Sequence, residues 1–211
     1  MTVNRMIRPA FAAAAAVFLL VLGAALRPMF VAETATPTPV LTSTELGFVQ
    51  DMTTHHEQAL NLAARLDPGV DSTVRVLTEQ IADAQRVELG TLLGWTQLAG
   101  AAPTSHQPMA WMVETTAHQH SSVSAPATMP GMATMAELDA LTAARGRDAE
   151  TLFLQLMYRH HSGGIIMARA ADTLIASGPV KQTARAMAQS QSQEMGYIGM
   201  LLDLRGVHPT P

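Results

Sequence analysis

A chain of 211 residues and 22.5 kDa holds one domain of ordinary size plus a leader, or two small repeated halves. Its formal net charge of −4 and pI of about 6.0 lack the basic balance of an electrostatic nucleic-acid binder. The absence of cysteine excludes disulfides, thiolate metal sites and a Cys nucleophile, so a soft metal ligand must be Met sulfur or His nitrogen.

Apolar residues make up 48% of the chain but aromatics only 4%, so the core is built from Ala, Leu, Ile and Met. That composition suits closely packed helices and suits sheets poorly. The 14 Met and 8 His are the unusual feature.

At the N-terminus, Arg5 and Arg8 precede an apolar run from Ala10 to Leu26, closed by Arg27-Pro28. Charge followed by an apolar stretch is the pattern of a secretory leader, and the run is short for a full membrane span. Ala24-Ala25 and Ala32 are weak cleavage candidates, so the leader is either removed or retained as a membrane tether. Residues 34–39, TATPTP, read as an extended linker. Residues 1–39 are thus a signal peptide or anchor plus linker, and 40–211 form the folded part.

Helix A begins at Thr42, where Thr42-Ser-Thr-Glu45 is a capping box. Phe48, Met52, Ala59, Leu60 and Ala63 recur at three-to-four spacing, and Asp67-Pro68-Gly69 stops the helix. Helix B runs from about Ser72 to Ala99, with Val74, Leu77, Ile81, Leu92 and Trp95 as its stripe and Gly100 at its end. The segment 101–147 is an irregular crossover with a short helix from Glu137 to Ala144, capped by Thr134. Helix C starts at Asp148 as N-cap and ends at Ser177-Gly178-Pro179. Helix D runs from about Val180 to Arg205, with Met187, Ile198 and Leu201 inward.

The two halves repeat at an offset near 105 residues. Phe48-Val-Gln-Asp-Met52-Thr-Thr-His55-His56 lies over Phe153-Leu-Gln-Leu-Met157-Tyr-Arg-His160-His161, and Gln85-x-x-Glu88 lies over Gln191-x-x-Glu194. The fold class is therefore all-α: a four-helix bundle made of two repeated hairpins, 42–100 and 148–206, with a long irregular crossover. The halves either pack together within one chain or swap between chains as a homodimer.

Three groups of residues point to metal chemistry. Met52 lies one turn from His55 and His56, as Met157 does from His160 and His161. Imidazole with thioether suits copper, as Cu(I) or Cu(II); the competing reading is His in polar gaps and Met as core filler. Glu88 and Glu194 fall on the apolar stripes of their helices, where a carboxylate is costly unless paired or bound. They either accept an imidazole N–H or ligate directly, with Gln85 and Gln191 one turn earlier in the same network. The crossover carries His106, Met109, Met112, His118, His120, Met129, Met132 and Met135, a composition fit for metal capture in an exposed segment. The alternative there is that Met109, Trp111 and Met112 fold back as an apolar cover.

Enzyme signatures are missing. There is no Glu-x-x-His, no H-E-x-x-H, no G-x-S-x-G and no P-loop, and no residue is assigned a catalytic role.

The doubled Phe-x-x-x-Met-x-x-His-His, followed by an Ala-rich helix and Gln-x-x-Glu, resembles the CopM-like family, long catalogued as a domain of unknown function. The resemblance covers roughly 44–100 and 148–206. It implies a ferritin-like helical bundle, export to the periplasm or cell envelope, and copper binding through Met52, His55, His56, Met157, His160 and His161. Leu92 and Ile198 stand where the family often has Met, so a ligand role for that Met is lost here. The expected function is copper buffering, sequestration or handover without catalysis. A structural or interaction module with a buried His/Glu network is the alternative, and a di-metal redox enzyme ranks lowest.

Overall fold

The computed structural model describes residues 16–23, 26, 39–112 and 128–209. The chain divides into two compact units, Met1–Pro39 and Val40–Pro211. In the first unit residues 16–23 are helical with exposed side chains. No helix among the described residues is long and apolar enough to cross a membrane.

The second unit is all-helical. Helix α1, Ser43–Arg65, opens with the complete capping box: Glu45 N donates to Thr42 Oγ1 at 3.2 Å, and Thr42 N donates to Glu45 Oε2 at 2.8 Å. Helix α2, Ser72–Leu98, is capped by Asp71, whose Oδ1 accepts from Thr73 N at 2.8 Å. A 3₁₀ turn covers Ala110–Met112. Helix α3, Met135–Ala143, has the expected Thr134–Glu137 capping box.

Helix α4, Gly146–Leu174, begins two residues before the expected Asp148 cap. Arg145 takes the N-cap position without a side-chain bond. The cap comes instead from the other hairpin: Asp67 Oδ2 accepts the Gly146 N–H at 2.8 Å. Asp148 lies inside the first turn, where its charge still complements the helix dipole. Helix α5, Pro179–Asp203, has Pro at its first turn, where the missing N–H costs nothing.

α4 packs along α5 and α1 along α2, while α1 and α4 meet as the inner pair. The apolar interior forms two clusters. One joins the C-terminal half of α1, the N-terminal half of α2, α3, and the adjoining halves of α4 and α5, around Leu62, Ile81, Leu141, Phe153, Met157 and Leu202. The other joins the opposite halves, around Phe48, Met52, Leu92, Met167, Ala171 and Met187. Each fully buried Leu, Phe or Met contributes about 1.5–3 kcal/mol. Between the clusters, near the middle of every long helix, lies a polar layer.

The first part of the crossover belongs to the core. Met109 and Trp111 are buried, and Asp51 Oδ2 accepts both the Met109 backbone N–H at 2.7 Å and the Trp111 Nε1–H at 2.8 Å. The Trp111 ring stands edge-on to Phe48, centroids 5.6 Å apart. A Cβ at Gly47 would come within 2.8 Å of Trp111 Cβ, so glycine is what lets the indole approach α1. Met109 is thus packing rather than an exposed capture residue: a buried thioether gains contacts that water cannot offer.

Candidate functional site

Consecutive positions on a helix point about 100° apart, so each His doublet serves two neighbours. On α1, His56 faces α2 and His55 faces α4. On α4, His161 faces α5 and His160 faces α1. All four are buried.

Each Nε2 meets an oxygen. His56 Nε2 donates to Glu88 Oε2 at 2.6 Å, and His161 Nε2 to Glu194 Oε2 at 2.5 Å. His55 Nε2 donates to the Pro130 carbonyl at 3.2 Å, and His160 Nε2 to the His55 carbonyl at 3.0 Å. Because carbonyls and carboxylates only accept, each Nε2 carries a proton, and in His55 and His160, which burial keeps neutral, Nδ1 is left with a free lone pair.

All four Nδ1 atoms are buried and have no hydrogen-bond partner; the same holds for Gln85 Oε1 and for both polar atoms of the Gln191 amide. Among the described residues no other side-chain atom is so placed. A buried polar group left without a partner costs about 1–3 kcal/mol, so these seven atoms are the ones that a bound ion or ligand would satisfy.

The layer is compact. The His55 and His160 rings stack with centroids 3.8 Å apart and planes inclined by 33°, and His160 and His161 lie 6.2 Å apart. Gly164 provides the room: a Cβ there would strike Gln191 Oε1 and come within 3.2 Å of His55 Cε1. Burial pushes the His55 imidazole down to about 3, helped by the nearby His56. Burial likewise holds His160 well below its ordinary value, with His55 and His161 adding to the effect. Both rings are therefore neutral at physiological pH, the state in which Nδ1 can bind a metal.

Met52 and Met157 lie one helical turn from the doublets, but on opposite sides of the layer: Met52 in one apolar cluster and Met157 in the other. Gln191 meets His55 at the Gly164 position, Gln85 is buried on α2 one turn before Glu88, and Glu88 and Glu194 hold the outer imidazoles. The layer brings donors together without closing them: among the described residues no group of three or more His, Asp or Glu is arranged to hold a metal ion.

The crossover residues are spread out. His106 is exposed, Met109 is in the core, Met112 and Met129 pack partly buried against the same cluster, Met132 is half-buried, and Met135 is exposed at the start of α3. His118 and His120 lie outside the described residues.

Sequence reasoning missed Pro130, whose carbonyl completes His55, and the Gly163-Gly164 pair. The signal was present: two glycines inside a helix, next to the doublet, cost about 1 kcal/mol each relative to Ala and mark close approach. Asp51 was missed too, although it sits on the apolar stripe beside Met52 just as Glu88 does on its own helix.

A helical bundle of two repeated hairpins with a buried histidine layer at its middle is the class that fold and site define. The chain belongs to the DUF305 family, a domain of unknown function, whose profile matches residues 45–202 and so includes both doublets. It is similar to a DUF305 protein from Streptomyces coelicolor named for its inferred secretion, with 35% identity, TM-score 0.70, and coverage of 80% of this chain and 96% of that one. It is also similar to a DUF305 fragment from Deinococcus radiodurans, with 30% identity, TM-score 0.61, and coverage of 77% and 97%. None of the curated proteins compared with it matches.

Proposed function

We propose that this is an exported, non-catalytic copper-binding protein of the cell envelope, of the CopM-like kind, which buffers, sequesters or hands on Cu(I). The observation that carries the reading is the set of four buried Nδ1 atoms without a hydrogen-bond partner, each on a ring whose Nε2–H is committed to an oxygen. An imidazole whose far N–H is held by a carboxylate or carbonyl is the arrangement that orients a histidine toward a metal. Both carboxylates are engaged in that way, so the donors facing the layer are nitrogen and amide oxygen, unlike the oxygen-rich shells of Ca²⁺. A soft monovalent d¹⁰ ion is satisfied by two or three ligands, so two imidazoles with or without a thioether suffice. Export is supported by the Arg5/Arg8 leader pattern and by the inferred secretion of the Streptomyces coelicolor relative. The residues 10–26 run would then be either removed or kept as a tether.

The experiment is an anaerobic Cu(I) titration against a chromophoric chelator, with the His55→Ala/His56→Ala/His160→Ala/His161→Ala variant beside the parent. Loss of tight binding in the variant is the expected result. Tight binding that persists in a folded variant overturns the helical site. A second reading is favoured by the completeness of the His56–Glu88 and His161–Glu194 bonds without metal: an interaction module stabilised by a buried polar network. It is the outcome if the parent binds no copper while the variant loses about 1–3 kcal/mol per orphaned group.

A further inference from the structure

The four imidazoles are 0–1% exposed, so an ion reaches them only where their cover moves. Around the layer α1, α2, α4 and α5 run unbroken. Among the described residues, the non-helical segment that contacts the layer at His55 is the turn Met129-Pro130-Gly131-Met132. Its Pro130 carbonyl is the acceptor for His55. Gly131, at φ +78, seats its backbone directly on α4: a Cβ there would lie 3.0 Å from the His160 carbonyl and strike that of Arg159. Gly163 is cut away to match, since a Cβ on it would collide with the Pro130 carbonyl. The turn is pinned on its C-terminal side. The Gln58 amide makes two bonds to Ala133, at 2.9 and 2.6 Å, and Arg159 grips Glu137 with two bonds of 2.8 Å. Met129 packs against the cluster that contains Met52, and Met132 is half-buried. The side-chain donors on the turn are these two sulfurs.

We propose that Met129 and Met132 form a thioether relay that accepts Cu(I) at the surface and passes it beneath the turn to the Nδ1 atoms of His55 and His160. The inference rests on the copper reading above. The transfer is ligand exchange alone: a Cu–S bond breaks as a Cu–N bond forms, the metal stays Cu(I), and no proton moves because the receiving nitrogen carries none. A neutral, flexible thioether binds Cu(I) weakly and lets go readily, which is what a relay needs. Pro130 and Gly131 lie between the two methionines, so Met129 and Met132 flank in the chain the carbonyl that holds His55.

The test follows Cu(I) uptake by the full chain from a chromophoric Cu(I) complex under anaerobic stopped flow. The Met129→Leu/Met132→Leu variant keeps volume and apolarity. Its uptake is expected to slow by about tenfold or more while its equilibrium competition moves by less than about threefold. An unchanged uptake rate in the folded variant overturns the relay. So does an equal loss of rate and equilibrium affinity, which would make the sulfurs resident ligands. Should the double variant fold poorly, Met129→Leu and Met132→Leu singly are each expected to slow uptake, and failure of both to do so overturns the relay. A parent protein that takes no Cu(I) overturns the copper reading itself, so the two failures are seen in different proteins.

Discussion

His55 and His160 hold equivalent positions in the two halves and stack ring on ring across the α1–α4 contact, their centroids 3.8 Å apart. The contact is not symmetric: His160 donates to the backbone carbonyl of His55, whereas His55 donates to Pro130 from the crossover. Duplication thus supplied the pair, and the crossover broke its symmetry by closing over one member.

Stability of the metal-free protein is expected to fall with acid between neutrality and about pH 5. His55 and His160 stay unprotonated in the fold, while the unfolded chain takes up their protons near the ordinary histidine value of about 6.5. The unfolded state binds more protons below that value, so the contribution is complete above it and is lost as pH falls toward about 3 for His55. Each histidine adds a slope of about 1.4 kcal/mol per pH unit inside that window. The raised carboxyl of Asp51 acts in the opposite sense, and Glu137, held down to about 2 by Arg159, loses its contribution only at stronger acid. Urea midpoints at pH 7, 6 and 5 measure the slope; a flat profile contradicts the burial of neutral imidazoles.

Replacing Glu88 or Glu194 with Gln exchanges a charged acceptor for a neutral one at the imidazole N–H. Cu(I) affinity is expected to drop about 10–100-fold for each, with helix content preserved. Chelator competition reads the affinity and circular dichroism the fold. Affinity untouched in both variants would detach the carboxylates from the site.

Two glycines inside helices have opposite expected fates. Gly163→Ala drives a methyl group into the Pro130 carbonyl and is expected to cost about 1–3 kcal/mol, with the turn displaced from His55. Gly196→Ala, on α5, meets no atom within 4 Å and is expected to add about 0.5–1 kcal/mol of stability. Thermal unfolding of both variants decides it; equal shifts would mean that the close approach of turn and helix is unimportant.

Asp51→Ala removes the shared acceptor of two buried donors, the Met109 N–H and the Trp111 indole. A loss of about 2–4 kcal/mol is expected, together with a red shift of tryptophan emission as the 3₁₀ segment lifts from α1. Tryptophan emission that stays blue in the variant would show that packing on Phe48 alone holds the crossover.

Much of the helical frame was legible in the residues. Thr42/Glu45 and Thr134/Glu137 set two helix starts because a capping box is closed by atoms three residues apart. Glu88 and Glu194 announced themselves by lying on apolar stripes, and the fold gave each a histidine. Helix α4 was misread at its start because its cap, Asp67, comes from 79 residues away.

By itself, then, the sequence determined the four long helices, their duplication and the placing of both His doublets near helix centres, since caps and the 3.6-residue period act within a few turns. Only the tertiary structure decided which nitrogen of each ring is free, because Pro130 and the His55 carbonyl arrive from 75 and 105 residues away. It also decided that Met109 is core, that Met52 and Met157 flank the layer from opposite sides, and that two glycines admit the turn beside His55. Those outcomes depend on which surfaces meet in space, and no local period encodes that.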